Sequence, residues 1–212
     1  MFSFLVVAVT ATALMGQATN APITPKERIV LFDGKSLAGW KLVSKDPTVD
    51  LTTIWSVQDG VIRCKGKPNG YARTEVAYQN YKLHAEWRWP EVAGNSGVFL
   101  HITGADKVWP NCLEAQLASG SAGEIRVNGG SLVKELTTEN PKSVPRRTAG
   151  TEKPVGEWNT YDIICRGDTV SVRVNGVLQN EIMGSSVSSG AVGLQAEGKL
   201  VEFRNIVLEP LK

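Results

Sequence analysis

The stretch YDIICRGDTVSVRVNGVLQNEI, residues 161–182, decides the fold class of this chain. Two dipeptides that are typical of tight turns, GD at 167–168 and NG at 175–176, divide it into three runs rich in β-branched residues. In the middle run, residues 169–174, valines alternate with polar residues, so that one face is apolar and the other is polar. The stretch therefore predicts an antiparallel meander of three strands.

Runs of the same kind occur along most of the chain, and no stretch has the 3.6-residue periodicity of an amphipathic helix. We expect the last run to pair back near the N-terminal end and close a sandwich. The segment 119–154 is rich in Gly, Ser, Thr and Pro, which is typical of a long functional loop. The sequence therefore predicts an all-β fold, with strands at residues 55–57, 61–64, 82–89, 98–101, 113–117, 161–166, 169–174, 177–182, 191–196 and 200–208.

Length and composition limit the class of protein. The 212 residues, 42% of them hydrophobic, can bury a full core, and sandwiches of this size commonly form one domain. We therefore expect a single domain over residues 22–212. The formal net charge of +2 is too small to favour a nucleic-acid partner.

The first 21 residues are typical of a secretory signal followed by the start of a linker. Their apolar run, residues 4–14, is too short to anchor the chain stably across a bilayer, and small residues that suit cleavage follow it. We expect export to the periplasm or the medium, with no stable membrane span after the signal is removed.

Neither the cysteines nor the acidic residues form a recognisable metal motif. Cys64, Cys112 and Cys165 are far apart and lack a C-x-x-C pattern, so we expect small buried residues in strands, with one disulfide and a spare thiol as the alternative. No EF-hand loop or H-x-x-x-H motif is present. We expect no cofactor, although carboxylates that bind a divalent cation remain an open alternative.

Two polar strand faces suggest contacts with a ligand. In KLHAEWRW, residues 82–89, Glu86 and Arg88 share a chargeable face, which would enclose a polar ligand if the sheet curves inward and would otherwise form solvated ion pairs. In LEAQL, residues 113–117, Glu114 and Gln116 share a face in a strand that is otherwise apolar. Burying such side chains without partners is costly, so we expect them to serve a site.

Aromatic rings and an imidazole lie beside these faces. By strand alternation, Phe99 and His101 share one face, where a ring stacks on sugars and an imidazole transfers protons. A histidine held by a neighbour at a strand end is the alternative. Trp109 lies just before the strand of Glu114, and Gln195 and Glu197 repeat the same spacing at the end of another strand.

Seven stretches, in order, resemble the landmarks of the 3-keto-disaccharide hydrolase family and cover nearly all of the chain after the signal. The resemblance implies a concanavalin A-like jelly-roll sandwich of two antiparallel sheets, in a protein exported by bacteria. It also implies a role in pathways that oxidise a sugar at C3 and then cleave its glycosidic bond. The stretches are LFDGKSLAGWK (31–41), WSVQDGVI (55–62), EWR (86–88), GNSGVFL (94–100), LEAQL (113–117), KPVGEWN (153–159) and GLQAEGKLVEFRNIVLEPL (193–211).

The chain departs from the family pattern at two positions, because His101 stands where relatives often have Arg and Glu197 stands where they often have His. We expect Glu114 to act as base or acid on a carbohydrate or 3-keto-glycoside substrate, with His101 as its proton-transfer partner. Arg88, oriented by Glu86, and Gln116 would then donate to the keto or enolate oxygen. The alternative function is a carbohydrate-binding module that cleaves nothing, because jelly rolls serve both purposes.

Overall fold

The computed structural model describes residues 21–212, so the expected signal segment lies almost entirely outside the described part of the chain. The described part contains one 3-10 turn, Leu51–Thr53, and otherwise only strands and loops. In chain order the strands are β1 (Ile29–Val30), β2 (Trp40–Ser44), β3 (Trp55–Gln58), β4 (Val61–Cys64), β5 (Gly70–Thr74), β6 (Tyr81–Arg88), β7 (Gly97–Thr103), β8 (Asn111–Gln116), β9 (Ile125–Asn128), β10 (Ser143–Val144), β11 (Asn159–Arg166), β12 (Thr169–Val174), β13 (Val177–Ile182), β14 (Ala191–Ala196) and β15 (Val201–Pro210).

The strands form two antiparallel sheets that pack face to face, and the expected all-β sandwich is confirmed. One sheet has the order β13-β12-β11-β6-β15-β4-β3, with β1 added beside β15. The other has the order β10-β9-β8-β7-β14-β5-β2. We call them the eight-stranded and the seven-stranded sheet; one large apolar core lies between them.

The meander that the turn dipeptides predict is present as β11, β12 and β13. Asn175 and Gly176 both have positive φ angles, 49° and 82°, as the tight hairpin turn with two left-handed residues requires. Val170, Val172 and Val174 are fully buried between the sheets. Local turn chemistry and alternation were therefore sufficient to place these strands.

The last strand closes the eight-stranded sheet, as expected. It pairs with β1 through Ile29 and Leu208, and on its other side it pairs with β6 and β4. The N-terminal and C-terminal strands are therefore neighbours. None of the helices formed by residues 21–212 is long and apolar enough to cross a membrane.

Candidate functional site

A groove with a volume of about 650 Å³ lies on the outer face of the seven-stranded sheet. Its floor consists mainly of polar side chains from β8, β9 and β14. Its rim comes from three loops, before β7, between β7 and β8 and between β9 and β10, and from the chain after β14. We call this site the groove; it is lined by Asn95, Trp109, Glu114, Gln116, Arg126, Val127, Asn128, Gly129, Gly130, Ser131, Leu132, Pro141, Lys142, Gln195 and Glu197.

Strand alternation explains why this face is polar. In β8, Leu113 and Ala115 face the inter-sheet core, so that Glu114 and Gln116 face outward. In β14, Leu194 faces the core in the same way and Gln195 faces outward. The expectation that these side chains share a site agrees with their common place in the groove.

Glu114 is the most deeply buried carboxylate of the groove, with 3% of its surface exposed. Its Oε2 accepts a hydrogen bond from Nδ2 of Asn128 at 2.8 Å. Its other side lies against Gly97 of β7, where even a methyl group would come within 2.5 Å of Oε1. Burial raises the pKa of the Glu114 carboxyl to about 7, against the smaller lowering effects of Asn128 and Arg126.

A second carboxylate, Glu197, lies at the rim of the same groove. Its backbone bridges to that of Asn95, which orders the end of β14 against the loop before β7. Partial burial raises the pKa of Glu197, and each glutamate is close enough to Arg126 for the guanidinium to favour the ionised carboxylate. The groove therefore contains two carboxyl groups in different environments and one cation that acts on both.

Two amides lie beside the carboxylates. Oε1 of Gln116 accepts hydrogen bonds from the backbone N–H groups of Leu117 and Ala118, both at 2.8 Å, which fixes the orientation of this amide. Oε1 of Gln195 is buried and has no hydrogen-bond partner within residues 21–212. An unpaired buried amide oxygen is costly, and a ligand hydroxyl would satisfy it.

Glu86 and Arg88 do not belong to this site, which corrects the expectation from the sequence. Both lie on β6 and point outward from the eight-stranded sheet, on the opposite side of the sandwich. Glu86 does not orient Arg88: it accepts from Nε of Arg204 at 2.7 Å, whereas Nε of Arg88 donates to Glu202 at 2.7 Å. Both guanidinium groups also stack on Trp158. The sequence correctly predicted that Glu86 and Arg88 face outward, but in the structure they belong to a network of ion pairs.

His101 does not share a face with Phe99, and this expectation is also wrong. A bulge interrupts the pairing of β7 with β8 after Leu100, and His101 has a φ of 59°. The bulge turns the imidazole into the inter-sheet core, where it packs edge-on against Tyr81 at 5.6 Å and Nδ1 donates to the carbonyl oxygen of Val187 at 3.2 Å. Burial lowers the pKa of His101 to about 4, so the structure does not bring a proton-transfer partner to Glu114 here.

Phe99 does face the same side as Glu114, but it is not available for stacking on a sugar. Its ring is fully buried and packs edge-on against Tyr71, with ring centroids 5.6 Å apart. The exposed aromatic ring of the groove is Trp109, which is 42% exposed at the rim. Of the two rings expected in the site, the structure therefore leaves Trp109 accessible and covers Phe99.

Sequence reasoning missed Arg126 and Asn128. Both lie on β9, and Arg126 is the cross-strand neighbour of Glu114 on β8. The signal was present, because IRVN (125–128) alternates apolar and polar residues, but it lies inside the segment interpreted as a long loop. A strand of four residues with one apolar pair was too short to stand out.

The three cysteines are free and buried, as the preferred reading of their spacing predicted. Within residues 21–212, no three His, Cys, Asp or Glu side chains are grouped so that they could hold a metal ion.

Comparison with known proteins places the chain in a family. The profile of the 3-keto-alpha-glucoside-1,2-lyase-like domain matches residues 27–209. The chain belongs to this family. The match covers both sheets and every groove residue, in agreement with the landmark stretches of the sequence.

One relative and two solved structures are among the proteins that are similar to this chain. A 3-keto-disaccharide hydrolase of Bacteroides thetaiotaomicron is 27% identical in an alignment of 170 residues that covers 70% of this chain and 56% of that protein; the chain thus spans about half of the relative's length. A crystal structure assigned as a glycosyl hydrolase of Parabacteroides distasonis has a TM-score of 0.65 and 21% identity, over 88% of this chain and 95% of that one. A carbohydrate-binding module of Bacillus subtilis has a TM-score of 0.57 and 13% identity, over 81% and 95%. These two structures share the fold.

Proposed function

We propose that this protein cleaves the glycosidic bond of 3-keto-glycosides by acid and base chemistry in the groove. The observation that supports the proposal is the Glu114 carboxyl, which is 3% exposed and has a pKa raised to about 7 at the floor of a polar groove. A carboxyl group that is near half-protonated at neutral pH suits a general acid or base. Membership of the lyase-like family and the name of the Bacteroides relative point to the same substrate class.

The chemistry starts from the ketone at C3, which acidifies the proton on C2. In our assignment the less buried carboxylate, Glu197, removes this proton while protonated Glu114 donates to the leaving oxygen as the C1–O bond breaks. The product is an enone, with Glu114 ionised and Glu197 protonated. Water then adds: its hydroxyl goes to C1, its proton goes to Glu114, and Glu197 returns a proton to C2, so both carboxyl groups regain their starting states.

Arg126 takes the role that the sequence had suggested for Arg88. It faces both carboxylates of the groove, and none of its nitrogens lies within 4 Å of a carboxylate in the described part of the chain. A guanidinium without a fixed partner can stabilise the negative charge that develops on the enolate oxygen. Gln195, with its unpaired Oε1, would hold a sugar hydroxyl.

The test is turnover of 3-keto-trehalose, followed as release of the 3-keto-sugar. We expect Glu114→Gln to lower kcat by about 10²- to 10⁴-fold, which is the usual contribution of general acid–base catalysis. Glu86→Gln is the matched control, because Glu86 lies on the other sheet, and it should retain wild-type turnover. Equal turnover of Glu114→Gln and wild type would refute the assignment.

The second candidate function is a carbohydrate-binding module, which the similarity in fold to the Bacillus subtilis module favours. The exposed ring of Trp109 at the rim would suit this role. The same assay separates the two functions. Binding of 3-keto-trehalose without release of product, in wild type as well as in Glu114→Gln, would support the module.

We also propose that the protein is exported, on the basis of the apolar run at residues 4–14. Expression of the full chain in a Gram-negative host, followed by fractionation, tests this. The protein should be found in the periplasm or medium in a form shortened by about twenty residues, whereas a chain lacking residues 1–21 should stay in the cytoplasm. Retention of the full chain in the cytoplasm would contradict export.

A further inference from the structure

One row of outward-facing side chains crosses six strands of the seven-stranded sheet. Each position of the row is the direct cross-strand partner of the next, from β9 to β2. The six positions are Arg126, Glu114, Phe99, Gly193, Arg73 and Lys41. The groove uses only the first two. The other end of the row carries two cations, Arg73 and Lys41, which suit a polar ligand, but it is closed.

The closed end is occupied by the carboxylate of Asp106, from the loop 104–110 between β7 and β8. Arg73 donates to it in a bidentate arrangement, with Nε to Oδ1 at 2.7 Å and Nη2 to Oδ2 at 3.0 Å. Nζ of Lys41 lies 2.8 Å from Oδ2, and the hydroxyl of Tyr71 donates to Oδ1 at 3.1 Å. Asp106 thus brings together three groups from two strands, and a bidentate guanidinium–carboxylate pair is among the strongest of such contacts.

A small apolar cluster lies on the same outer face beside this contact, apart from the main core. Tyr71 and Phe99 are fully buried in it, and Ile102 is 7% exposed. Side chains on the outer face of a sandwich are buried only where something covers them. The hydroxyl of Tyr71 contacts Asp106, so the loop 104–110 is part of this cover.

The same loop carries Trp109, the exposed ring at the rim of the groove. Asp106 is three residues before Trp109 and is the residue of the loop that is paired with the sheet through its side chain. One carboxylate therefore connects the loop that carries the ring with the far end of the row.

We propose that Asp106 is a specificity-determining residue that limits the length of the ligand: it seats the loop 104–110 on Arg73 and Lys41, so that the groove ends at Phe99 and accepts a short glycoside. The proposal rests on the proposed function for its substrate. Removal of the carboxylate would free two cations and a phenol hydroxyl to line an extension of the groove over β5 and β2. Asp106 is a positioning residue, since it does not line the groove.

The first measurement follows the loop itself and does not depend on turnover. Lys107 is exposed in the loop next to Asp106, so that trypsin can cleave after it when the loop leaves the sheet. We expect Asp106→Ala to be cut there about tenfold faster or more than wild type, with Asp106→Asn between the two because the amide keeps one acceptor. Cleavage after Lys35, an exposed lysine elsewhere, should be unchanged. Equal rates at Lys107, or rates that rise equally at both lysines, would overturn the proposal.

The second measurement is the ratio of kcat/KM for two lengths of substrate, 3-keto-trehalose and maltotetraose oxidised at C3 of its terminal glucose. Asp106→Ala should raise the ratio of long to short by about tenfold, mainly through KM for the long substrate. A purely structural role would lower both values alike and leave the ratio unchanged, which would overturn the proposal. Asp162→Ala, which removes a similarly placed carboxylate from an ion pair on the opposite sheet, should not change the ratio. If wild type turns over neither substrate, the proposed function fails, and tryptic cleavage still decides whether Asp106 seats the loop.

Discussion

Glu114 lies directly against Gly97 on the neighbouring strand, and a Cβ added to Gly97 would come within 2.5 Å of Oε1 and 2.7 Å of Cγ of the glutamate. Gly97 is in the GNSGVFL landmark and Glu114 is in the LEAQL landmark. The glycine thus leaves the space in which the buried carboxyl sits, and this gives the two landmarks one physical reason to occur together.

Gly97→Ala should therefore displace the Glu114 carboxyl without touching its chemistry. We expect kcat to fall by about 10²-fold, because a shift of about 1 Å in a reacting group is enough for such a loss. Gly193→Ala is the matched control: its Cβ would meet Ile102 Cδ1 at 2.8 Å, away from both glutamates. Steady-state kinetics and thermal unfolding of both variants provide the comparison. A loss of kcat that is equal in the two variants would show that crowding of the sheet, and not the place of Glu114, is responsible.

The pH dependence of turnover should reflect the acid role of Glu114. Its pKa is raised to about 7, so the protonated form that donates to the leaving oxygen disappears above neutral pH. We expect kcat/KM to fall by about tenfold per pH unit on the alkaline side of pH 7. A pH–rate profile on 3-keto-trehalose measures this. A profile that stays flat between pH 7 and 9 would rule out Glu114 as the acid.

Glu114 should also make the folded state less stable as the pH rises. Below pH 4.5, the ordinary pKa of a glutamate, the carboxyl is protonated in both the folded and the unfolded state. Between pH 4.5 and about 7 the carboxyl ionises in the unfolded chain but stays protonated in the folded one, so the free energy of unfolding decreases as the pH rises. Relative to wild type, Glu114→Gln should gain roughly 3 kcal/mol in free energy of unfolding between pH 4.5 and 7.5, since a shift of one pKa unit corresponds to about 1.4 kcal/mol. Urea unfolding at several pH values tests this, and a difference that is independent of pH would contradict it.

The two arginines provide a test of which sheet face binds the substrate. Arg126→Gln should lower kcat by about 10²-fold through the loss of a cation that faces the developing charge. Arg88→Gln should leave kcat and KM near wild type, because Arg88 belongs to the ion pairs of the other sheet. This second variant is expected to unfold at a lower temperature, because it leaves the buried carboxylate of Glu202 with only the weaker contact to Arg63. The reverse pattern in kcat would place the site on the eight-stranded sheet.

His101 should affect stability in acid and not the chemistry of the groove. Burial lowers its pKa to about 4, so the stability present above its ordinary value of 6.5 is lost as the pH falls toward 4, because the unfolded chain takes up the proton first. Wild type should lose roughly 3 kcal/mol from this source. His101→Asn, which tolerates the positive φ, should be less stable at pH 7 but lack this acid-side loss. His84→Asn, at the other histidine, should retain it. An unchanged acid slope in His101→Asn would contradict this account.

The sequence predicted the positions of most strands correctly, but it did not predict which strands lie in the same sheet. The turn at Asn175-Gly176 and the valines before it placed the meander because both are local properties. The alternation in residues 82–89 correctly predicted that Glu86 and Arg88 point away from the core. It did not tell which sheet this strand joins, and so the two residues were grouped with Glu114, which lies on the other side of the sandwich.

By itself, then, the sequence determined the fold class, the outward direction of the polar residues in each regular strand, and the family. The tertiary structure decided which outward-facing residues lie next to one another. Strand order brings Glu114, Arg126 and Gln195 into one groove, and this order depends on contacts between residues far apart in the chain. It also decided the fate of His101, because a single bulge reverses the alternation and buries the imidazole between the sheets. The alternation of side chains along a strand changes phase at a bulge, and it does not tell which strands are adjacent in the sheet. For both of these reasons the site could be identified only from the folded chain.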